Sequence, residues 1–184
     1  MRVVAGRWRG HRLLPPTGDA IRPTADRVKE ALFSILGARV EGAVFVDLCC
    51  GSGALGIEAL SRGAARAVFV DRERSALALA GANLDRCGAG RGSWTQEQGE
   101  ALAWLGRWRP EPGVPWLLVA DPPYREPLGG AILAFLRERE PGPDCRALVV
   151  EMGSASPGSP APDPAWQLRR YGQSTLAVWL AADA

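Results

Sequence analysis

The sequence is poor in the residues that bind metals. It has a single histidine, His11, and none of its four cysteines belongs to a C-x-x-C pair (Cys49, Cys50, Cys87 and Cys145). Structural zinc sites are built from cysteine and histidine ligands at such short spacings. We therefore expect no metal site, and we interpret the cysteines as small buried apolar residues.

Long apolar runs are also lacking. No stretch approaches the roughly 18 apolar residues that a membrane-spanning helix needs, and the N-terminal MRVVAGRWRG has no hydrophobic region of the signal-peptide kind. These absences predict a cytoplasmic protein with no membrane partner. With 184 residues, of which 47% are hydrophobic, the chain is long enough for one domain with a sizeable core.

The chain as a whole has little excess of either charge, but its charges are unevenly placed. The formal net charge is +2, yet residues 1–30 contain seven basic residues and three acidic ones. A basic arm of this kind is typical of a protein with a polyanionic partner. Solvated charge on a terminal segment would give the same pattern, so both interpretations stay open.

The order of apolar segments predicts the fold class. Residues 2–14 (RVVAGRWRGHRLL) are predicted to form a short β-hairpin, and a helix is expected from Thr24, as its cap, to Gly37, which ends it. From residue 43 strands alternate with helices, which indicates an α/β fold with a mostly parallel, doubly wound sheet. WLLVA (Trp116–Ala120) is predicted to be a buried strand, and WQLRRYGQSTLAVWL a closing antiparallel hairpin.

A glycine-rich loop follows the first strand of this pattern. Gly51, Gly53 and Gly56 match G-x-G-x-x-G between a strand and a helix, where glycines let the backbone approach a ligand. Asp71 ends the next strand, at a position where a carboxylate can accept hydrogen bonds from ribose hydroxyls. The motif predicts an adenosine-containing cofactor, either a nicotinamide dinucleotide or S-adenosylmethionine.

Asp47, four residues before Gly51, helps to separate these two cofactors. Its carboxylate would point into the crevice where a dinucleotide places its pyrophosphate, and two anions there would repel each other. S-adenosylmethionine instead carries a sulfonium and an amino group, which the carboxylate attracts. The charge balance favours the methyl donor, although an aspartate here would also serve to cap the following loop.

The segment ADPPYRE follows the predicted strand Trp116–Ala120. Asp121 and the carbonyl of Pro122 could accept both hydrogens of an exocyclic amino group and so aim its lone pair at a methyl group. Pro122 and Pro123 restrict the backbone, and Tyr124 offers a face on which an extruded base can stack. We predict that these four residues are catalytic; the structural alternative is a plain turn.

Together with the N-terminal segments, these motifs resemble a known family, the bacterial small-subunit (16S) ribosomal RNA guanine-N2 methyltransferases of the RsmD type. The resemblance runs nearly end to end through VVAGRWRGHRL, RPTADRVKEALFSIL, GSGALGIEALSRGA, FVDRE, DPPY and YGQSTL. The glycine loop and DPPY alone would also resemble adenine-N6 DNA methyltransferases. The basic segment followed by RPT and a helix is what resembles the rRNA family.

The resemblance implies a Rossmann-like class I methyltransferase with a seven-stranded sheet and S-adenosylmethionine as the donor. The implied substrate is N2 of a guanine in 16S rRNA, within an assembling 30S particle, and the implied enzyme is a monomer. Residues 1–40 would form an RNA-contacting extension that packs on a catalytic domain of residues 41–184.

The same resemblance implies which residues bind each ligand. The donor would contact Asp47, Cys49, Cys50, Gly51, Ser52, Gly53, Asp71, Arg72, Glu100 and Ala101. The RNA would contact Arg7, Arg9, Arg12, Arg22 and Thr24. The chain departs from the family in having CCGSG where Phe-Ala-Gly-Ser-Gly is usual, Asp71 for a more usual Glu, and Glu100 where Asp or Asn is usual.

Other functions remain open from the sequence. A DNA adenine-N6 or protein glutamine methyltransferase would keep the same donor site. A nicotinamide-dependent oxidoreductase would leave both Asp47 and DPPY unexplained. An RNA-binding assembly factor without catalysis is the non-enzymatic alternative.

Overall fold

The computed structural model describes residues 1–16, 24–124, 126–153 and 163–182, without the side chains of residues 24–26. Helices span Thr24–Leu36 (α1), Ala54–Ser61 (α2), Arg74–Arg86 (α3), Ala101–Arg107 (α4) and Leu128–Arg137 (α5). Strands span Val44–Leu48 (β1), Arg66–Asp71 (β2), Trp94–Gln98 (β3), Trp116–Ala120 (β4), Cys145–Gly153 (β5), Gln167–Tyr171 (β6) and Ser174–Leu180 (β7). Two short 3-10 turns lie at Gly37–Val40 and Arg91–Ser93.

The seven strands form one mixed sheet in the order β3-β2-β1-β4-β5-β7-β6. Strands β1 to β5 pair with one another in parallel. Strand β7 lies between β5 and β6 and pairs antiparallel with both. This confirms the predicted Rossmann-like sheet and its closing antiparallel hairpin. Strands β1 and β4 are buried along their whole length, which explains why their segments are apolar at every position except Asp47.

The strand order determines where a ligand can bind. The chain runs outward from β1 to β2 and β3, then returns to place β4 on the other side of β1. Ligands of open α/β sheets bind at such a switch point, beyond the carboxyl ends of the strands. Leu48 pairs in register with Val70 and with Ala120, so the loops after β1, β2 and β4 begin level with one another.

Both faces of the sheet are covered by helices. Because side chains alternate along a strand, Phe45, Phe69 and Leu117 pack with α1, α2 and α3 on one face. Val46 and Leu118 pack with α4 and α5 on the other face. The core therefore has two layers, and the sheet between them is held rigidly beneath the loops.

The N-terminal segment is not the predicted β-hairpin. Within residues 1–16 the pairing is limited to one antiparallel bridge between Arg2 and Arg12, with backbone hydrogen bonds beside it from Val3 to His11, from Gly10 to Val3 and from Leu13 to Met1. The amides of Val4 and Ala5 donate to the side chain of Glu58 in α2, at 2.7 and 2.9 Å. The segment is therefore held partly by a helix that lies more than forty residues away in the sequence, and its two arms do not extend into strands.

Helix α1 begins at Thr24 and ends at Leu36, as its apolar spacing predicted. The next residue, Gly37, has a φ of 52° and so ends the helix. The predicted capping by the Thr24 side chain lies outside the described side chains. Buried residues of α1 share one apolar cluster with Val3, Trp8 and Leu13 of the N-terminal segment. Segment and helix are thus packed against the main sheet.

Candidate functional site

A cavity of about 580 Å³ opens at the carboxyl ends of the central strands. All of the predicted donor-binding residues except Gly53 line it, and so do all four residues Asp121–Tyr124. Its size falls in the range of small-molecule sites. The structure therefore brings together two motifs that are separated by about seventy residues in the sequence.

The glycine loop between β1 and α2 has a backbone that few residues can adopt. Gly51 and Gly53 have φ values of 53° and 74°, and Cys49 is a non-glycine residue at 62°. A Cβ on Gly51 would meet nothing within 4 Å, so this glycine is required for conformation alone. A Cβ on Gly56 would lie 2.3 Å from the ring of Phe69, so the last glycine of the motif serves packing of α2 on the sheet.

Asp47 is buried at the end of β1 and lines the cavity. Its Oδ2 accepts the amide of Gly56 at 2.8 Å, in the first turn of α2. Burial raises the pKa of this carboxyl from 3.8 to about 7, although the Gly56 hydrogen bond lowers it in part. Asp47 thus does cap the loop, and a cation in the cavity would favour its ionised form. Donor contact by Asp47 stays a prediction.

Asp71 supports the glycine loop directly. Its Oδ2 accepts the amide of Gly51 and its Oδ1 accepts the amide of Glu73, each at 2.9 Å. Each carboxylate oxygen can accept a second hydrogen bond, so ribose hydroxyls could still bind here. The same side chain therefore shapes the loop and faces the predicted ribose position.

Arg72 connects the two halves of the cavity wall. Its guanidinium donates to both carboxylate oxygens of Glu126, at 2.8 and 3.2 Å, and Glu126 follows the DPPY segment. Glu100 and Ala101 line the cavity at the start of α4, after the weakly patterned strand β3. Arg72, Glu100 and Ala101, which are predicted to bind the donor, therefore all line the cavity. The guanidinium of Arg72 is already paired with the carboxylate of Glu126.

The DPPY segment forms the opposite wall. The amide of Asp121 donates to the carbonyl of Leu48 at 3.2 Å, which continues the pairing of β4 with β1 beyond the strand end. The hydroxyl of Tyr124 donates to Oε1 of Glu151 and lies 2.6 Å from Oγ of Ser174. Burial, followed by the bond to Glu151, raises the pKa of this phenol above its ordinary value of 10.0. The tyrosine hydroxyl is thus held by two side chains from β5 and β7.

Comparison with known proteins identifies the family. A family model described as "Conserved hypothetical protein 95" matches residues 1–180. The Escherichia coli (strain K12) protein named "Ribosomal RNA small subunit methyltransferase D" is 33% identical over 171 residues, which cover 92% of this chain and 83% of that protein. Bacillus subtilis YlbH is 36% identical over 138 residues, 75% of this chain and 74% of YlbH.

This chain belongs to the RsmD family.

Solved structures agree with the family membership. The Escherichia coli protein yhhF has a TM-score of 0.76 and 32% identity, with 98% of this chain and 97% of that chain covered. An RNA methyltransferase from Salinibacter ruber, solved in complex with S-adenosyl-L-homocysteine, has a TM-score of 0.58 and 18% identity over 86% of this chain and 93% of its own. At that identity the second comparison shows the fold alone.

The predicted RNA-binding arginines of the N-terminal segment of this RsmD-family chain do not line the cavity. Met1, Pro15 and Pro16 of the same segment are among the cavity-lining residues. Arg7, Arg9 and Arg12 are exposed. Arg22 lies outside the described residues, and Thr24 begins α1 with its side chain outside the description.

A buried ionic cluster that sequence reasoning missed holds the N-terminal segment in place. Glu58 is fully buried in α2, and its carboxylate lies 3.3 Å from the ammonium of Lys29, the only lysine of the chain, and 2.8 Å from Nε of Arg62. Lys29 also donates to the carbonyl of Arg2. An acid at an otherwise apolar position of GALGIEALSR was the available signal.

Glu151 and Ser174 were also missed as partners of Tyr124. Sequence reasoning found no task for the tyrosine hydroxyl, whereas the structure gives it two hydrogen bonds. Ser174 lies in the YGQSTL segment on which the resemblance partly rests, and Glu151 is the acid near the end of the strand beside β4. The signal in the sequence was the acid Glu151 near the end of the predicted strand RALVVEM.

Across residues 1–16, 24–124, 126–153 and 163–182, no group of three or more histidine, cysteine, aspartate or glutamate side chains could hold a metal ion. Among the helices that the structure describes, none is long and apolar enough to cross a bilayer.

Proposed function

We propose that this protein transfers a methyl group from S-adenosylmethionine to the exocyclic N2 of a guanine in small-subunit ribosomal RNA, within an assembling 30S particle. The observation that supports this most is the shared cavity, into which the glycine loop and the DPPY segment both open. Family membership supports a methyltransferase that acts on rRNA.

The chemistry of the first half of the cavity fits a cationic adenosine-containing donor. When bound, S-adenosylmethionine supplies an electrophilic methyl group on a sulfonium sulfur. Asp47 would face the amino or sulfonium cation, and a backbone without a side chain at Gly51 leaves room for close approach. Asp71 would accept hydrogen bonds from the ribose hydroxyls. The acids in this part of the cavity disfavour a pyrophosphate, which argues against the nicotinamide alternative.

The second half of the cavity fits a flat base with an amino group. Asp121 is exposed at the rim of the cavity and would accept one hydrogen of that group, while the carbonyl of Pro122 would accept the other. Both contacts direct the nitrogen lone pair towards the donor side. The product nitrogen must lose one proton, which the Asp121 carboxylate would take and then release to water. Tyr124 would stack on the base.

The basic segment supports a nucleic-acid substrate. Arg7, Arg9 and Arg12 are exposed on a segment whose two ends, at Met1 and at Pro15 and Pro16, line the cavity, so RNA phosphates bound there would lie on the same side of the protein as the cavity opening. Phosphate contacts position a nucleic acid but carry little sequence information. We therefore propose that residues 1–40 form an RNA-contacting extension and that the folded shape of the RNA presents the target guanine.

The decisive experiment supplies radiolabelled S-adenosylmethionine with 16S rRNA, or with small-subunit particles, that lack the modification. We expect label in N2-methylguanosine after nuclease digestion, and we expect Asp121→Ala to lose most transfer while keeping donor affinity. Replacing the exposed Glu138 by Gln is the matched control, and it should transfer at the wild-type rate.

Other products would assign other functions. Label in N6-methyladenosine of DNA, or in methylglutamine of a protein, would overturn the proposed substrate and keep the donor site. RNA binding without any transfer, from protein that binds the donor, would instead support an assembly factor.

A further inference from the structure

A second carboxylate lies on the substrate side of the cavity, next to the DPPY segment. Strand β5 pairs with β4 so that Val150 is level with Ala120, the last residue of β4. The residues that follow these two in the chain are Glu151, still in β5, and Asp121. Both acids line the same cavity, and Glu151 is half-buried there. The proposed transfer to an amino group uses Asp121 and leaves Glu151 without a task.

One carboxylate oxygen of Glu151 has a hydrogen-bond partner in the structure, and the other is open to a ligand. Oε1 of Glu151 accepts the hydroxyl of Tyr124, which also contacts Ser174. Oε2 accepts no hydrogen bond from any residue in the part of the chain that the structure describes. Because Glu151 lines the cavity and is only half-buried, this oxygen is open to a donor supplied by a ligand.

The chemistry of the purine edges decides which ligand suits it. Guanine presents N1–H beside its N2 amino group, so both groups are donors. Adenine presents a bare N1, an acceptor, beside its N6 amino group. A carboxylate accepts from guanine N1–H and repels the lone pair of adenine N1, because an ionised carboxyl is an acceptor only.

We propose that Glu151 is the residue that selects guanine, by accepting the N1–H of the base while Asp121 accepts a hydrogen of N2. Tyr124 positions Glu151 through the shared hydrogen bond and stacks on the same base. The assignment rests on the proposed guanine-N2 function and deepens it, since it explains why a DPPY-type site would take guanine rather than adenine.

The alternative is that Glu151 never contacts the base and only positions the ring of Tyr124 through their hydrogen bond. Ser174 provides the matched control, because it contacts the same hydroxyl and carries no charge. Removing the Ser174 hydroxyl weakens the support of the ring but leaves the carboxylate in place. The two roles therefore differ in whether base selection changes, not only in whether activity falls.

The test uses 2-aminopurine, which keeps the amino group at position 2 but has a bare N1 in place of N1–H. Small-subunit particles are reconstituted with rRNA that carries either guanine or 2-aminopurine at the position labelled by the wild-type protein. Single-turnover transfer is measured for wild type, Glu151→Gln, Glu151→Ala and Ser174→Ala, with thermal melts and donor affinity to confirm folding.

The wild type should prefer guanine. Glu151→Ala should lose roughly 5- to 150-fold of the rate on guanine, the discrimination that a paired base contact provides, and Glu151→Gln should lose less, because its carbonyl oxygen can still accept N1–H. On 2-aminopurine both variants should fall no further than Ser174→Ala, which removes a similar support of the Tyr124 ring. Ser174→Ala should slow both substrates equally. Labelled N2-methylguanosine from the wild type, with an unchanged guanine preference in both Glu151 variants, would overturn the assignment and leave the proposed function standing. A different wild-type product would overturn both.

Discussion

The buried carboxylate of Glu58 offers the sharpest test of how the N-terminal segment is held. Its Oε1 accepts the amide of Ala5 and Nε of Arg62, and its Oε2 accepts the amide of Val4 and faces the ammonium of Lys29. Every one of these four partners is a donor. We predict that Glu58→Gln strongly destabilises the protein, because either orientation of the amide points an NH₂ group at two N–H donors.

The contacts give the size of the effect. The carboxylate is 0% and the ammonium 4% exposed, at 3.3 Å, where the Coulomb attraction is about 5 kcal/mol at an effective dielectric constant of about 20. Part of this offsets desolvation of the two ions, and removing one partner of such a buried pair costs about 3–5 kcal/mol. For a chain of this length that corresponds to a fall in Tm of roughly 6–20 °C.

The assay combines stability with a local readout. Urea unfolding gives the free energy, and hydrogen exchange of the amides of Val4 and Ala5 reports on the segment itself. Glu138→Gln, on the surface, is the control, and adding Lys29→Met to Glu58→Gln should recover part of the loss by removing the unpaired buried ammonium. A loss below about 1 kcal/mol, with unchanged exchange at both amides, would refute the reasoning.

Four further predictions concern the cavity and the basic segment. Asp121→Asn should reduce kcat by roughly 10²- to 10⁴-fold in single-turnover transfer with little change in donor affinity, because a neutral amide is a poor proton acceptor; wild-type kcat would exclude Asp121 from catalysis. Donor affinity, measured by calorimetry, should weaken as the pH falls below about 7, where Asp47 gains a proton, and Asp47→Asn should be insensitive to pH. The same raised pKa predicts how stability depends on pH. Between pH 3.8 and about 7 the unfolded chain releases the Asp47 proton more readily than the folded protein does, so the wild type should lose stability as the pH rises through this window, whereas Asp47→Asn should not. Replacing Arg7, Arg9 and Arg12 together by Gln should lower the slope of log RNA affinity against log salt by roughly 0.7–0.9 per lost phosphate contact, and an unaltered slope would mean that these arginines do not bind RNA.

The elements of the fold could be predicted because their signals are local. Strand β4, Trp116–Ala120, is fully buried on both faces, so its segment is continuously apolar and its position in the sequence is unambiguous. Gly51 must adopt a left-handed backbone, which few other residues tolerate, so the loop is marked by its own composition. The acid at the end of β2 and the DPPY segment after β4 follow from these strands, because parallel strands end at one edge.

The contacts between distant segments were decided by the tertiary structure alone. The predicted hairpin is reduced to one bridge, and the amides of Val4 and Ala5 bind Glu58 instead; no pattern within residues 2–14 reveals an acceptor that α2 supplies. The pairing of Tyr124 with Glu151 arises in the same way, since β4 and β5 are neighbours only after α5 has crossed the sheet. The sequence alone thus determined the strands, the helices and the two motifs, because backbone conformation and burial leave local marks. Which side chains face one another depends on register and packing across the sheet, and those exist only once the chain has folded.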